Sequence, residues 1–337
     1  MNTPQAGPRR AHRPRHPAAS TGSAPRATPT TALRHLAELL TYAGTRTGHD
    51  RRDAAMADEM TVAAADLGLP PGLEVRWLGV AGVALLYEGT TVLIDPYVTR
   101  LPMGDLMRRR VIAADLAAID RWVPRTDAVL LGHTHFDHAL DAPAIARRDR
   151  ATVYGGASAV ALMGLHGLAD RAVAVAPHVP IDIGPFEVTF VPSVHSKLVL
   201  GRTVPNGGEI TCEHLDGLTP KAYRCGEVWG IHIAVAGASL YHQGSADLVD
   251  DEVRHRDVDV FLCGVAGRQV SDRYFARILH RLDPKVVVAI HHDDFFVPLA
   301  RRDQGFAFGV DLARVPDEVA ETSCEAPVVV LERARPA

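Results

Sequence analysis

Residues 133–138 read His-Thr-His-Phe-Asp-His, which places three imidazoles and a carboxylate within six positions. Neutral imidazole and carboxylate are the donors that a borderline divalent cation such as zinc prefers. In a tight loop the alternate side chains His133 and His135 are able to converge on one ion, while Asp137 and His138 turn toward a second position. Hydrocarbon packing does not ask for imidazole, so ligation explains this run better than a core does. The chemistry implied is hydrolysis without a serine or cysteine nucleophile, because a divalent ion lowers the pKa of bound water from about 15.7 to about 7. Asp137 is then suited to orient the attacking water or to accept its proton.

Such donors need a scaffold. Residues 127–131 form an apolar strand that runs into the cluster, and Gly132 permits a sharp turn at its end. His195 closes a second apolar run, residues 186–194, and His291 closes a third, residues 286–290. Three strands that each finish at a histidine would gather ligands at one rim of a sheet sandwich. Most of the 17 histidines must have plainer roles, and His12, His16, His35 and His49 are read as surface or core residues.

Residues 73–80, 82–87 and 90–94 predict a meander that ends at Asp95-Pro96. Further strands are expected over 152–154, 172–175, 186–192, 229–236, 239–242, 258–265 and 285–290, and helices over 142–150, 157–165 and 274–282. Strands followed by helices, twice over, predict an α/β protein built as a four-layer α/β/β/α sandwich. No sequence repeat accompanies this arrangement.

Residues 1–30 hold five arginines, six prolines and no acidic residue, so this segment is expected to be a disordered, solvated tail rather than a nucleic-acid arm. Residues 31–71 are expected to be accessory helices: Leu33, Leu36, Leu39 and Leu40 share one helical face, and a second helix over 55–67 is closed by Gly68 and Pro70-Pro71. The catalytic domain is expected over 72–337. A composition of 47% hydrophobic and 23% charged residues, with a net charge of -4, does not draw the whole molecule onto nucleic acid or membrane. No apolar run is long enough to span a bilayer. Cys212, Cys225, Cys263 and Cys324 are widely spaced, which argues against a thiolate zinc site and for reduced thiols in a cytoplasmic protein. Arg9-Arg10 is followed by no apolar stretch and so does not read as an export signal.

His133-x-His135-x-Asp137-His138 is similar to the hallmark motif of the metallo-β-lactamase superfamily. Trp77-Leu-Gly-Val-Ala-Gly82 and Leu93-Ile-Asp-Pro96 resemble its opening strands, and the landmarks continue in order to about residue 297. The resemblance implies that His133, His135 and His195 bind a first metal, and that Asp137, His138 and His291 bind a second. It also implies that Asp95 is the carboxylate supporting them. Residues 285–295 look most like the branch of ascorbate-phosphate-lactonase-like and N-acylphosphatidylethanolamine-phospholipase-D-like proteins. One departure stands out. The superfamily usually bridges its two metals with an aspartate in a Gly-Asp-Thr-like turn, but here Gln243-Gly244-Ser245-Ala246-Asp247 puts Ser245 in that place and Asp247 two residues late. The cofactor implied is therefore zinc, one ion tight and a second weak, with manganese and iron as alternatives.

Residues 198–226 form a long Gly- and Pro-punctuated loop of the kind that covers a site, with Cys212, His214, Tyr223 and Arg224 as candidates for substrate contact. His292, Asp293 and Asp294 either orient imidazoles or act as solvated and capping residues. Arg108-Arg109-Arg110 reads as a solvated face. The expected function is hydrolysis of an ester, lactone, amide or phosphodiester in a small-molecule or lipid-like substrate, with no specific nucleic-acid partner. The rivals are an iron-dependent redox member, which would need a flavin or thiol partner, a nuclease using the tail, and a non-catalytic metal-binding protein, which Ser245 keeps in view.

Overall fold

Leu93 and Val129 pack to one side of their strands and Val92, Ile94, Ala128 and Leu130 to the other, and all six are buried. A strand buried on both faces belongs to a sheet covered on both sides. The computed structural model describes residues 29–198, 202–301 and 303–337. The expected tail lies outside them as far as residue 28, as do the side chains of Leu33, Leu36, Leu39 and Leu40.

Two sheets carry the structure. Helix α1 (Pro29–Met60) leads into strand β1 (Thr61–Val62). A meander follows in β2 (Glu74–Gly79), β3 (Gly82–Tyr87) and β4 (Thr90–Ile94), and then α2 (Met103–Arg108) and α3 (Leu116–Trp122) cross to β5 (Ala128–Leu130). Next come α4 (Phe136–Ala139), α5 (Ala142–Asp149), β6 (Thr152–Gly155), α6 (Ala157–Leu165) and β7 (Ala172–Ala174). Strands β2 to β7 form one sheet in sequence order, antiparallel through β4 and parallel from there on.

The second half repeats the plan. Strands β8 (Pro180–Ile183), β9 (Phe186–Ser193), β10 (Val228–Val235) and β11 (Ala238–Gln243) pair antiparallel. Strand β12 (Val260–Gly264), helix α7 (Tyr274–Leu282), strand β13 (Val286–Ile290), helix α8 (Val315–Ala320) and strand β14 (Val328–Leu331) complete it, with β11 to β14 parallel. Strand β1 joins the far edge, parallel to β14.

Between the sheets, Val83, Val92 and Leu130 meet Phe190, Ile231 and Val288 in one core. Outside the first sheet, Leu93 and Val129 pack on Ile119 of α3, Ile145 of α5 and Leu162 of α6. Outside the second, Phe261 and Val287 pack on Ile278 of α7 and Val315 of α8. The result is the four-layer α/β/β/α sandwich that the strand–helix alternation predicts.

The N-terminal segment differs from expectation. A single helix runs to Met60, and the stretch expected to be helical over 55–67 breaks there. Thr61 and Val62, both β-branched, pair instead with Val330 and Leu331, and only residues 64–67 return to a short 3-10 turn. The short strands β8 and β14 were not anticipated.

Candidate metal centre

The candidate ligands sit where strands run out. Asp95 follows β4, Gly132-His133 lies just past β5, His195 lies just past β9, Gly244-Ser245 follows β11 and His291 follows β13. Strands β4 and β5 are parallel, as are β11 to β13, so their carboxyl ends open on the edge where α/β sheets bind ligands. Asp95 and His291 both turn with left-handed backbone, φ 45° and 59°, which a non-glycine residue adopts at a cost of about 1–3 kcal/mol.

His133 Nε2 and His135 Nδ1 face each other at 3.1 Å. The ring of His195 lies 5.0 Å from that of His133 and 4.8 Å from that of His135. One nitrogen from each of the three lies within 4.8 Å of the other two. Their far sides are tied down: His135 Nε2 donates to Pro205 O at 2.8 Å, and His195 Nδ1 donates to Ser196 O at 2.7 Å. That fixes the tautomers so that His135 Nδ1 and His195 Nε2 keep lone pairs for an ion. Burial pushes all three rings toward the neutral form, His195 down to about 3. Neutral imidazole nitrogens converging in a buried site fit a divalent cation.

A second group adjoins the first. Asp137 Oδ2 lies 3.4 Å from His291 Nε2 and 3.7 Å from His138 Nε2, and the three donors fall within 4.8 Å of one another. Burial alone would raise the Asp137 pKa, but His138 and His291 beside it hold the carboxyl well below the usual range. Burial opposes the charged form of His138 too, yet Asp95 and Asp137 outweigh it and raise its pKa. His138 Nδ1 donates to Asp95 Oδ2 at 2.9 Å, and Asp95 Oδ1 accepts from Gly132 N at 2.7 Å. Asp95 is fully buried, and a Cβ on Gly132 or Gly244 would come within 2.9 or 2.8 Å of its Oδ2. Both glycines make room for that carboxylate.

Ser245 lines the site and its Oγ accepts from Ser196 N at 3.2 Å. Asp247 does not join either group: its Oδ1 takes Arg277 Nη1 at 3.0 Å and Leu248 N at 2.9 Å. His214 is exposed and lies apart from the cavity lining, as do Cys212, Arg224 and the core residue Tyr223. The 198–226 loop reaches the site through Leu198, Pro205 and Asn206 instead.

A cavity of about 550 Å³ opens above the histidines. Its walls include Met103, Leu106, Leu198, Phe295, Phe296 and Phe308, and its floor includes His135, Asp137, His195 and His291. Arg46 of α1 also lines it, 3.8 Å from Asp294. Apart from Leu198, which opens the expected covering loop, and Phe295, which closes the 285–295 segment, these wall residues carry no sequence signal. Also missed is His242, fully buried one residue before the end of β11, with Nε2 donating to Ala81 O at 2.8 Å. An imidazole inside an apolar strand was the signal available for it.

Residues 74–291 match the family model described as the beta-lactamase superfamily domain. The chain belongs to that family. YhfI from Bacillus subtilis, a metallo-β-lactamase fold protein, superposes with TM-score 0.50 at 16% identity, over 78% of this chain and 97% of that one. CmlA from Streptomyces venezuelae, a diiron β-hydroxylase, gives TM-score 0.50 at 14% identity, over 79% of this chain and 54% of that one. These likenesses concern the fold. In sequence the chain is 25% identical to a UPF0173 metal-dependent hydrolase of Carboxydothermus hydrogenoformans, over 71% of this chain and 94% of that protein. It is 26% identical to one of Staphylococcus aureus strain MRSA252, over 72% and 95%. Helix α1 lies ahead of the segment that the family model matches.

Proposed function

We propose that this metal-dependent hydrolase of the β-lactamase superfamily cleaves an ester, lactone, amide or phosphodiester bond in a small substrate with an apolar body. The observation that carries the reading is the three-imidazole group of His133, His135 and His195, of which His135 and His195 line the floor of a cavity walled by apolar side chains. His133, His135 and His195 would hold a first ion, and Asp137, His138 and His291 a second, with zinc the ion best matched to these nitrogen and carboxylate donors. A divalent ion there supplies Lewis acidity and a water whose pKa is about 7.

The chain's own residues do the rest. Pro205 O and Ser196 O fix the faces that His135 and His195 present to the floor. Asp95 anchors His138 from behind, and the Asp137 carboxylate, kept ionised by His138 and His291, is suited to orient the attacking water. The apolar walls exclude bulk water and favour an acyl, aryl or lipid-like body over a polyanion such as nucleic acid. Four free thiols support a cytoplasmic setting, and among the described residues no helix is long and apolar enough to cross a membrane.

The test is His133→Ala. Its metal content by elemental analysis should fall sharply, and turnover of generic ester, lactone and phosphodiester substrates should drop at least about a hundredfold. Full metal occupancy in the folded variant would sink the assignment.

A further inference from the structure

A buried ion pair stands behind His291 and takes no part in the chemistry proposed above. Arg100 Nη2 donates to Asp293 Oδ2 at 2.7 Å, with the two side chains 1% and 3% exposed. Asp293 Oδ1 accepts from Val80 N at 2.8 Å, in the turn between β2 and β3. Val80 O in turn accepts from His291 N at 2.8 Å and from Trp77 Nε1 at 3.0 Å. Arg100, Asp293, Val80 and His291 are thus linked in one chain of hydrogen bonds. The next residue of the turn is engaged as well, since Ala81 O accepts a hydrogen bond from His242 Nε2.

The packing around this pair leaves no slack. Gly79 has φ 87°, and a Cβ there would fall 1.9 Å from Arg100 Nη2 and 2.9 Å from Asp293 Oδ2. His292 stacks on Trp77 at 4.7 Å between ring centroids. A buried ion pair is a poor source of net stability, because desolvation consumes most of the Coulombic gain. Its better-attested use is to fix register. Here it stands at the corner at which His291 leaves β13 in a left-handed conformation.

We propose that Arg100 and Asp293 are positioning residues for His291. They lock the β2–β3 turn, and the turn holds the His291 backbone so that Nε2 meets Asp137 Oδ2 at 3.4 Å. Losing the lock releases the strained corner and costs affinity at the second metal position alone. His133, His135 and His195 follow β5 and β9, and their side chains bond to one another, to Pro205 O and to Ser196 O rather than to that turn. The inference rests on the reading of Asp137, His138 and His291 as a second metal position.

The experiment is a titration of the chelated full-length chain with Co²⁺, following the visible d–d bands and the stoichiometry of each step. The native protein should show two steps. Arg100→Gln and Asp293→Asn should leave the first step unchanged and weaken the second by about 10- to 100-fold, the usual effect of removing a partner that orients a ligand. Arg100→Lys keeps the charge and should recover part of the loss. An unchanged second step in folded variants would overturn the proposal, as would equal weakening of both steps, which would mean general loosening. If Arg100→Gln does not fold, Arg100→Lys and Asp293→Asn carry the same comparison. A native protein with a single step overturns the second metal position itself, and the proposal with it.

Discussion

Ser245 occupies the turn where the superfamily pattern supplies a bridging aspartate, and its hydroxyl is already engaged by Ser196 N. A bridging carboxylate offsets the repulsion between two dications about 3.5–4 Å apart, and a neutral hydroxyl does so poorly. The second position should therefore be the weaker. Elemental analysis after mild chelation should find one retained ion, and Ser245→Asp should tighten the second site by about tenfold or more. Asp247 is held by Arg277 and the Leu248 amide, so Asp247→Ala should leave the metal count unchanged. Loss of the second ion in Asp247→Ala would return the bridging role to that residue. At this scale the sequence was most legible where donor type and spacing coincide, in the run from His133 to His138. Pro205 and Arg100 were not legible. The first acts through a backbone carbonyl that any residue would supply, and the second through a partner 193 positions away.

On the outer face of β10 and β11, two histidines form a feature separate from the candidate metal centre. His232 of β10 bonds Ser239 Oγ of β11 at 2.9 Å, and its ring lies flat against that of His255, 3.7 Å away at 7°. Burial first, and then His255, push the His232 pKa down to about 4. The unfolded chain protonates this ring near 6.5, so it binds the extra proton and the folded state does not. Its contribution to stability is complete above about pH 6.5 and is lost as pH falls toward 4. In His232→Gln, the fall in melting temperature between pH 6.5 and 4 should be shallower than in the native protein. Equal slopes would show that the stack carries no such linkage. Elements were legible in proportion to their apolar runs: α7 and β13 announce themselves, with every residue of β13 buried. Strand β1 has two residues and β8 opens on a proline, so their pairing is imposed by neighbours rather than by local pattern.

At the scale of the molecule, α1 is fastened to the body by contacts beyond Leu40 that the apolar face of Leu33, Leu36, Leu39 and Leu40 did not advertise. Asp53 is fully buried and accepts from Ala313 N at 2.8 Å, Tyr42 meets Phe308 edge-on at 5.2 Å, and Arg46 lines the cavity. We propose that residues 1–30 are dispensable and that the rest of α1 is not. A chain starting at Thr31 should keep the native melting temperature and metal content. A chain starting at Thr61 should melt several degrees lower, because it loses a buried hydrogen bond and an aromatic contact. Equal melting of all three chains would show that α1 only rests on the surface.

The parallel pairing of β1 with β14 has a consequence for synthesis on the ribosome. Thr61 leaves the exit tunnel early, yet its partner Val330 in β14 follows only after every other strand of both sheets has been translated. For that interval α1 and β1 have no edge to dock on, and the growing sheet presents the unpaired flank of whichever strand came last. Contacts so distant in sequence close slowly, because loop entropy is lost before the pairing rewards it. The nascent chain is therefore most exposed to intermolecular strand pairing while β11 to β13 are out and β14 is not.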